Sequence, residues 1–500
     1  MLRKEAVNQT HLDVLIVGAG LSGIGAAYHL QTNCPGKSYA ILEGRATLGG
    51  TWDLFRYPGI RSDSDMYTLG YSFRPWTNAK AIADGPAILE YIRSAAKDYG
   101  IDKHIRYGHR VVSAAWSTKD SRWTVEVVTE AGETLRLTCG FLFACAGYYD
   151  YAEGYTPDFP GRDRFAGEVV HPQHWSADVA YEGKRVVVIG SGATAVTLVP
   201  ELAKRAAHVT MLQRSPTYVV SAPERDKIAN WLREHLPAEL AYATTRWKNV
   251  ALSMAIYAYC RRFPEKAKAF LIGEVEKRTR GKVDVKAHFT PSYNPWDQRL
   301  CLVPDADLFK TLREGRASVV TGHIETFTET GIKLRSGEEL PADLIVTATG
   351  LKLKFLGGMT LQVDDRAIVP SETMAYKGIM FSDVPNLAIA IGYTNASWTL
   401  KCDLTCNYVC RLLNYMDTHG YTKCCPRRND PSLTEEPLMD FTSGYVQRSI
   451  GAFPRQGSAA PWKLYQNYVL DRLTLKHAPL NDRALEFSRK DADSAAPAVR

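Results

Sequence analysis

Two glycine-rich segments of the chain have the residue types and spacing of turns that bind the pyrophosphate of a dinucleotide. Each follows an apolar run, at residues 14–17 and 186–189, and the two segments are Gly18-Ala19-Gly20-Leu21-Ser22-Gly23 and Gly190-Ser191-Gly192-Ala193-Thr194-Ala195. Glycine lets the backbone turn tightly after a strand and approach the pyrophosphate, which the amino terminus of the next helix then binds. The chain therefore has residues suited to holding two dinucleotides.

The residue that follows the next strand indicates which dinucleotide each turn holds. Glu43 lies 20 residues beyond Gly23, where a carboxylate accepts hydrogen bonds from ribose hydroxyls and repels a 2′-phosphate. Arg214 and Ser215 occupy the corresponding place after the second turn. A guanidinium suits a 2′-phosphate because it offers several fixed donors to a dianion. We therefore predict FAD at the first turn and NADPH at the second.

The recurrence of strand patterns along the chain predicts how these turns are positioned. Residues 1–150 and 376–500 form a discontinuous FAD-binding domain, to which the apolar run at 386–392 returns, and residues 151–375 form an NADPH-binding domain. Residues 223–286 lack a strand pattern, are rich in aromatic side chains, and are predicted to be a helical cap within the second domain. The predicted fold class is α/β, with two Rossmann-like dinucleotide-binding domains, the NADPH domain inserted in the FAD domain, and a helical cap insertion.

Composition agrees with a soluble enzyme that binds anionic cofactors. The 500 residues carry 61 basic and 54 acidic side chains without a long basic run, which suits anionic cofactors and does not indicate a nucleic-acid partner. No apolar run approaches the roughly 18 residues of a membrane-spanning helix, and the first strand begins too early for a signal peptide to precede it. We expect a cytoplasmic protein, and the sequence carries no signal for a particular oligomeric state.

The positions of the ten cysteines exclude one class of flavoprotein. Flavoprotein disulfide reductases need a redox-active cysteine pair soon after the flavin turn, and no cysteine lies between Glu43 and Tyr71. Cys402, Cys406 and Cys410 recur every four residues, which favours one buried face of a helix over a metal site. No metal site is predicted.

A further group of residues, Phe165, Gly167, His171 and Trp175, lies directly before the second turn. Their spacing resembles the signature of type I Baeyer–Villiger monooxygenases, with Ser176 where the family has proline or aspartate. In that family the motif lies on a linker near the nicotinamide site. The resemblance implies that His171 couples domain motion to the position of the nicotinamide cofactor and does not transfer a proton. A histidine that only forms an interdomain hydrogen bond is the alternative interpretation.

Two more segments carry the same resemblance, which covers nearly the whole chain. Gly49-Gly50-Thr51-Trp52 with the residues that follow to Asp63 resembles the loop beside the flavin, and residues 296–302 resemble the segment of the active-site arginine. The resemblance, strongest to the ethionamide-activating branch, implies that Thr51, Trp52 and Asp63 bind the cofactor and that Arg299 and Asp63 are the catalytic arginine and its carboxylate partner. Many relatives have lysine at the position of Gln298, so the preference for NADPH rests on Arg214 and Ser215.

The resemblance implies a specific reaction. In this family a flavin reduced by NADPH reacts with O2 to give a C4a-peroxyflavin, which converts a ketone to an ester or lactone and also oxidises sulfur. A permanently charged Arg299 would stabilise the peroxide and the oxyanion that follows, and Asp63 would orient it. The alternative function is that of the flavin-containing monooxygenases, which oxidise amines and sulfides and share both turns. Arg299 and Trp175 favour the Baeyer–Villiger reaction over this alternative. A nucleotide-sensing redox protein is a third interpretation, which the number of residues placed for oxygen chemistry disfavours.

Overall fold

The computed structural model describes residues 11–439 and 441–490. The strands are β1 His11–Val17, β2 Tyr39–Leu42, β3 Ile105–Arg106, β4 His109–Ser117, β5 Arg122–Thr129, β6 Thr134–Ala144, β7 Tyr149–Gly154, β8 Glu168–Val170, β9 Arg185–Ile189, β10 His208–Gln213, β11 Val219–Ala222, β12 Cys301–Pro304, β13 Ala317–Thr321, β14 Ile324–Thr328, β15 Gly331–Leu334, β16 Glu339–Pro341, β17 Leu344–Thr347, β18 Leu351–Leu353, β19 Thr360–Val363, β20 Arg366–Ile368, β21 Ala375–Tyr376, β22 Met380–Phe381, β23 Leu387–Ile389, β24 Lys423–Pro426, β25 Glu435–Pro437, β26 Arg455–Gly457 and β27 Leu485–Ser488. The α-helices are α1 Leu21–Asn33, α2 Thr51–Leu54, α3 Met66–Leu69, α4 Gly85–Asp98, α5 Ala193–Leu202, α6 Lys227–His235, α7 Ala238–Arg262, α8 Pro264–Thr279, α9 Val285–His288, α10 Asp307–Arg313, α11 Trp398–His419, α12 Gly444–Gln447 and α13 Tyr468–Asp471.

The first unit is built on a mixed sheet in the order β20-β19-β4-β5-β6-β1-β2-β3, with β23 also paired to β6. Strand β1 is parallel to both β2 and β6, so the residues that follow these three strands lie at one edge of the sheet. That edge carries the first glycine turn after β1 and Glu43 after β2. The chain returns to this sheet through β23, which is parallel to β6 and covers three residues of the run 386–392 where a strand was predicted.

The second unit is built on a parallel sheet in the order β13-β10-β9-β17-β8. The second glycine turn follows β9, Arg214 follows β10, and Gly350 lies shortly after β17. Since β9 lies between β10 and β17, these residues lie at the carboxyl edge of three neighbouring strands, which is where open α/β sheets bind ligands.

The two connections between the units lie side by side. The chain enters the second unit through β7 and leaves it through β18, and these strands pair antiparallel, with Gly154 opposite Leu351. After β18 the chain forms β19, which is parallel to β4 and so adds to the first sheet. Residues 360–368 therefore share the sheet of the first unit, whereas the sequence assigned them to the NADPH domain, because the predicted boundary at 375 lies beyond the point where the chain returns.

Residues 223–286 are largely helical, and α6 and α7 pack on the first unit. The Tyr242 hydroxyl donates to the carbonyl of Tyr71 at 2.9 Å, and the buried guanidinium of Arg246 donates to the carbonyl of Gly70 at 2.7 Å and lies 3.3 Å from the carboxylate of Asp403 on α11. The sequence assigned this segment to the second domain. Buried hydrogen bonds and an ion pair instead hold α7 to the first, since neither charge can be left unpaired in the core.

Packing in the core accounts for the spacing of the cysteines. All ten are buried and free, and Cys402, Cys406 and Cys410 lie on the face of α11 that packs in the core. Within the described residues, no group of histidine, cysteine, aspartate and glutamate side chains has an arrangement that could hold a metal ion. Among the helices described, none combines the length and apolar character needed to cross a bilayer.

Candidate active site

A cleft of about 530 Å³ lies between the two units and brings together seven of the seventeen site residues predicted from the sequence. Both units contribute to its lining. The predicted site residues that line it are Gly18, Gly20, Glu43, Thr51, Trp52, Asp63 and Arg299. Residues near the second turn, Ala193 and Thr194, line it as well, so the two turns open on one space.

The first turn is shaped as a cradle for a phosphate group. Gly18 has φ of +100°, a conformation that favours glycine, and its N–H donates to the carbonyl of Leu42 at 2.8 Å. A Cβ on Gly23 would overlap the carbonyl oxygen of Gly18, so a larger residue would separate α1 from the turn. Gly20 caps α1 without a side chain, which leaves the amino terminus of the helix open to the cleft.

Glu43 lies buried at the end of β2 and faces the same cleft. Its carboxylate accepts hydrogen bonds from the N–H groups of Ala19, at 2.8 Å, and Arg45, at 3.0 Å. Burial raises the pKa of Glu43, and these two hydrogen bonds oppose that effect. An ionised carboxylate has about four acceptor sites, so it retains capacity for ribose hydroxyls. The first site thus fits FAD.

The loop that carries Thr51 and Trp52 is held by a buried charge cluster that sequence reasoning missed. The carboxylate of Asp53 is 1% exposed and lies 2.8 Å from Arg45, and 3.3 Å from both Arg56 and Arg93. A buried carboxylate needs such partners, because an unpaired charge in the core is strongly destabilising. The cluster fixes α2, whose first residues line the cleft.

Arg299 and Asp63 meet at the wall of the cleft. The Nε of Arg299 lies 3.2 Å from Oδ2 of Asp63, and about a third of each side chain, 35% and 32%, remains accessible. The negative charge of Asp63 raises the pKa of Arg299, so the guanidinium is protonated throughout the working range of pH. The walls beside the pair include Tyr148 and Tyr149, and burial raises the pKa of Tyr148 to about 12. The site therefore presents a fixed positive charge among neutral rings.

The second turn has the same construction but is open to solvent. Gly190 has φ of +140°, and a Cβ there would overlap the carbonyl oxygen of Ala348. Gly192 caps α5, and a Cβ on it would contact no other atom. Ala195, in the first turn of α5, is buried in the core. The hydroxyl of Ser191 donates to the carbonyl of Ser215 at 3.2 Å and ties the turn to the segment of Arg214, which is exposed.

Comparison with known proteins identifies the family. A flavin-binding monooxygenase-like family model matches residues 79–231, and an NAD(P)-binding Rossmann-like domain model matches residues 16–84. The FAD-containing monooxygenase EthA of Mycobacterium tuberculosis is 56% identical over 483 residues, which are 96% of this chain and 99% of that protein. The chain belongs to the FAD-containing monooxygenases.

Solved structures share the fold of this FAD-containing monooxygenase. A steroid monooxygenase bound to NADP has a TM-score of 0.75 at 22% identity and covers 96% of this chain and 100% of its own. A cyclohexanone monooxygenase bound to ε-caprolactone has a TM-score of 0.74 at 19% identity, with the same coverage. The predicted fold class and the resemblance are confirmed. The protein is an NADPH-dependent flavoprotein monooxygenase with FAD and NADPH as cofactors, and the nucleotide-sensing interpretation is wrong.

The structure of this FAD-containing monooxygenase adds a second arginine near the nicotinamide turn. The guanidinium carbon of Arg448, which follows α12, lies 3.4 Å from the centre of the Tyr155 ring. A Cβ on Gly350 would lie 3.6 Å from Nη2 of Arg448, so the side chain reaches the carboxyl edge of the second sheet. Partial burial and the nearby charge of Arg214 lower the pKa of Arg448, an effect opposed by Tyr155. Sequence reasoning missed this residue, because no local pattern marks a lone arginine more than 200 residues from the turn.

The sequence signature before the second turn divides into packing residues and one linker residue. Phe165 is buried and contacts the Phe327 ring edge to face at 6.4 Å, and a Cβ on Gly167 would lie 2.6 Å from the carbonyl oxygen of Asp343. The ring of Trp175 packs on Tyr181 at 6.1 Å. None of these three lines the cleft. They hold the segment against the second sheet and leave His171 as the residue that reaches the linkers.

His171 braces the two linker strands where they meet. Its Nε2 donates to the carbonyl of Gly350 at 3.2 Å, and its Nδ1 accepts from the N–H of Gln173 at 3.1 Å. A Cβ on Gly154 would overlap the imidazole, so the ring lies directly on the backbone of β7. Burial lowers the pKa of His171, which suits a neutral ring that both donates and accepts.

The contacts of His171 lead to a prediction about pH. Because folding lowers the pKa of His171, the folded state binds fewer protons, and the free energy of unfolding should fall as pH drops below the ordinary histidine value of about 6.5. In His171→Gln, which cannot titrate, we expect a smaller drop in melting temperature between pH 7.5 and 5.5. Differential scanning fluorimetry followed by flavin emission measures this, with the exposed His323 replaced by glutamine as the control. An identical pH profile in His171→Gln and the wild type would contradict the assignment.

Proposed function

We propose that this FAD-containing monooxygenase converts ketones to esters or lactones. Each turnover would consume one O2 and one NADPH with a proton, place one oxygen atom beside the carbonyl, and release the other as water. When bound, FAD supplies the activation of O2 with electrons from NADPH. Gly18, Gly20, Glu43, Thr51 and Trp52 would hold the flavin, and the observation that carries the proposal is the Arg299–Asp63 pair in the cleft between the two turns.

The role of Arg299 follows from its charge and surroundings. Oxygen insertion beside a carbonyl develops negative charge on oxygen, and a guanidinium in a site with little water stabilises that charge without titrating. Asp63 is a positioning residue in this proposal. Its carboxylate lies against Nε, and in this proposal the two terminal nitrogens of Arg299 donate to the reacting oxygen.

A neighbouring cavity supports ketones with a linear or aryl chain. About 240 Å³ of space lies between α7 and the segment 465–468, lined by Met254 and Tyr257, among others. Tyr393 lines both this cavity and the cleft, so the two spaces adjoin at its ring. A substrate with its carbonyl beside Arg299 could place an apolar chain toward α7. In this way the helical segment would shape the ketone pocket.

Product analysis tests the proposal. Purified enzyme loaded with FAD is incubated with NADPH and either 2-octanone or phenylacetone, and we expect the corresponding ester by gas chromatography with one ester formed per NADPH consumed. Sulfoxide from an added thioether is expected as a side product, because sulfur oxidation develops no oxyanion at a carbonyl and needs no guanidinium. Sulfoxide without ester from either ketone would move the assignment to amine and sulfide oxidation.

Two arginines support NADPH as the electron donor. Arg214 and Arg448 have no carboxylate partner within residues 11–439 and 441–490, and Arg214 lies close enough to affect the pKa of Arg448. Neighbouring cations without a partner favour a bound dianion. We infer that both contact the 2′-phosphate of NADPH, and that Arg448 does what a lysine does in relatives where this chain has Gln298.

The contribution of Arg448 is measurable by cofactor preference. In Arg448→Gln we expect kcat/KM for NADPH to fall about tenfold, since a charge-assisted hydrogen bond is worth about 1.5 kcal/mol, and kcat/KM for NADH to remain within twofold. Steady-state oxidation of NADPH and, separately, of NADH with a saturating ketone measures the two values of kcat/KM. Arg366→Gln, an exposed arginine on β20, is the matched control. Equal losses for NADPH and NADH would contradict a contact with the 2′-phosphate.

A further inference from the structure

Large apolar side chains are exposed in one region of the molecule. Of the fourteen that the described residues expose, nine lie between 228 and 270 and three between 465 and 473. Four of them follow one another at intervals of four, three and four residues, three on the carboxyl-terminal half of α7 and one directly after it. We call these the α7 patch: Leu252 at 56%, Ile256 and Tyr259 at 46%, and Phe263 at 43% exposed. Exposed apolar surface of this kind marks an interaction site.

The sequence around the patch is unusual for a helix on a protein surface. Residues 251–260 contain no charged side chain, although most of them are exposed. Surface helices normally place charged residues on the face that meets water. The apolar run is too short to cross a bilayer, which needs about 20 residues. Its length and exposure suit a helix that lies in the plane of an interface.

Positive charge surrounds the patch. Three cations of the segment 227–280, Arg246, Lys248 and Arg261, pair with carboxylates outside it. Counted with those carboxylates, its eleven lysines and arginines exceed the acidic residues by three. Two of these cations lie against the ring of Phe263, Arg262 at 5.4 Å and Lys266 at 5.6 Å, and neither forms an ion pair with any described residue. Exposed aromatic and aliphatic side chains bordered by free cations match the boundary between the acyl chains and the headgroups of an anionic bilayer.

We propose that the α7 patch docks this monooxygenase on the surface of an anionic lipid bilayer. Leu252, Ile256, Tyr259 and Phe263 enter the acyl boundary, and Arg262 and Lys266 contact the headgroup phosphates. The charge of the segment disfavours a second copy of the chain as the occupant, since a two-fold contact through this patch would bring two rims of like charge together. The docking does not depend on which compound the enzyme oxygenates.

The position of the α7 patch relates the proposed docking to the entry of an apolar substrate. The 240 Å³ cavity lies beneath this half of α7 and adjoins the cleft at Tyr393. An apolar molecule dissolved in the bilayer would thus reach the cavity by passing between α7 and the segment 465–468, without crossing water. Tyr465 and Val469, both exposed, extend the apolar surface on the other side of this passage.

Vesicle binding by the full-length, FAD-loaded enzyme tests the proposal. We expect co-sedimentation with phosphatidylcholine vesicles that contain about 30% phosphatidylglycerol, at least tenfold weaker binding to phosphatidylcholine alone, and weaker binding to the anionic vesicles in about 0.5 M salt. Leu252→Ser/Ile256→Ser and Arg262→Gln/Lys266→Gln should each weaken binding to the anionic vesicles about tenfold. Val369→Ser, which removes an exposed apolar side chain outside the patch, should bind like the wild type.

The same variants make the proposal refutable. All of them should retain FAD and the wild-type rate of NADPH oxidation, because none of these side chains lines the cleft. Failure of the wild-type enzyme to bind anionic vesicles overturns the proposal, as does equal binding by Leu252→Ser/Ile256→Ser. A lipid-free dimer in sedimentation velocity that Leu252→Ser/Ile256→Ser dissociates, combined with no vesicle binding, would assign the α7 patch to a second copy instead.

Discussion

Replacement of Arg299 by alanine is expected to lower the rate of ester formation from 2-octanone by about 10² to 10³-fold, while NADPH oxidation continues and its electrons reduce O2 to hydrogen peroxide. The reason is that Arg299 is the cation proposed to face the reacting oxygen in the cleft, and loss of one preorganised stabiliser of a developing oxyanion typically costs about 3–4 kcal/mol of barrier. Binding of FAD should be unaffected, because the residues of the first turn and Glu43 are untouched. Ester is measured by gas chromatography and hydrogen peroxide by a peroxidase-coupled assay.

The neighbouring carboxylate provides the graded control for this result. Asp63→Asn keeps the size and one acceptor but removes the charge that orients Arg299, so we expect an intermediate loss of about tenfold. Sulfoxide formation should fall much less than ester formation in both variants, which separates a specific loss from general damage to the flavin site. Ester formation by Arg299→Ala within tenfold of the wild-type rate would refute the role given to this residue.

Replacement of Arg214 by alanine is expected to reduce kcat/KM for NADPH about 100-fold and to leave kcat/KM for NADH nearly unchanged. The exposed guanidinium follows β10 beside the second turn, and bidentate hydrogen bonds to a phosphate are worth about 3 kcal/mol. Arg214→Glu should go further and prefer NADH, because a carboxylate repels the 2′-phosphate and accepts hydrogen bonds from a ribose hydroxyl, as Glu43 is placed to do in the first site.

Reductive half-reactions measured by stopped flow separate binding from chemistry in these variants. We expect the limiting rate of flavin reduction to stay near the wild-type value and the apparent dissociation constant of NADPH to rise. In Ser215→Ala, which removes a neutral hydroxyl, the affinity for NADPH should fall only a few-fold. A fall in the limiting rate with an unchanged dissociation constant would mean that Arg214 acts on the nicotinamide and not on the 2′-phosphate.

The parts of the site that could be predicted from the sequence are those that depend only on neighbouring residues. A glycine turn and the residue after the next strand depend on a single strand–turn–helix unit, so Gly18, Gly23 and Glu43 could be read from about thirty consecutive residues. The structure brings Glu43 to the cleft beside this turn, and it brings Arg214 to the edge of the second sheet beside Gly190. The choice of FAD for the first turn and NADPH for the second rests on those two positions.

The contacts that sequence could not give join distant parts of the chain. The pairing of Asp63 with Arg299 could be expected only from the resemblance, and the approach of Arg448 to Gly350 had no signal at all. The placement of α7 depends on Arg246 and Asp403, an ion pair that neither helix reveals alone. The length of residues 223–286 and their lack of a strand pattern identified the segment as helical but could not say which sheet it would cover.

The side-by-side pairing of β7 and β18 bears on how such a protein came to exist. The chain departs from the first unit and comes back to it through neighbouring, hydrogen-bonded strands, so the ends of the inserted unit are only one strand spacing apart. An ancestral flavoprotein could therefore have acquired the second unit as a cassette, at a surface hairpin, without rearranging the first sheet. A chain in which a short turn joins residues 154 and 351 would close β7 and β18 as an ordinary hairpin, but it would lose α7 with the second unit and leave the buried Asp403 without Arg246, so this deletion alone should destabilise the flavin-binding unit.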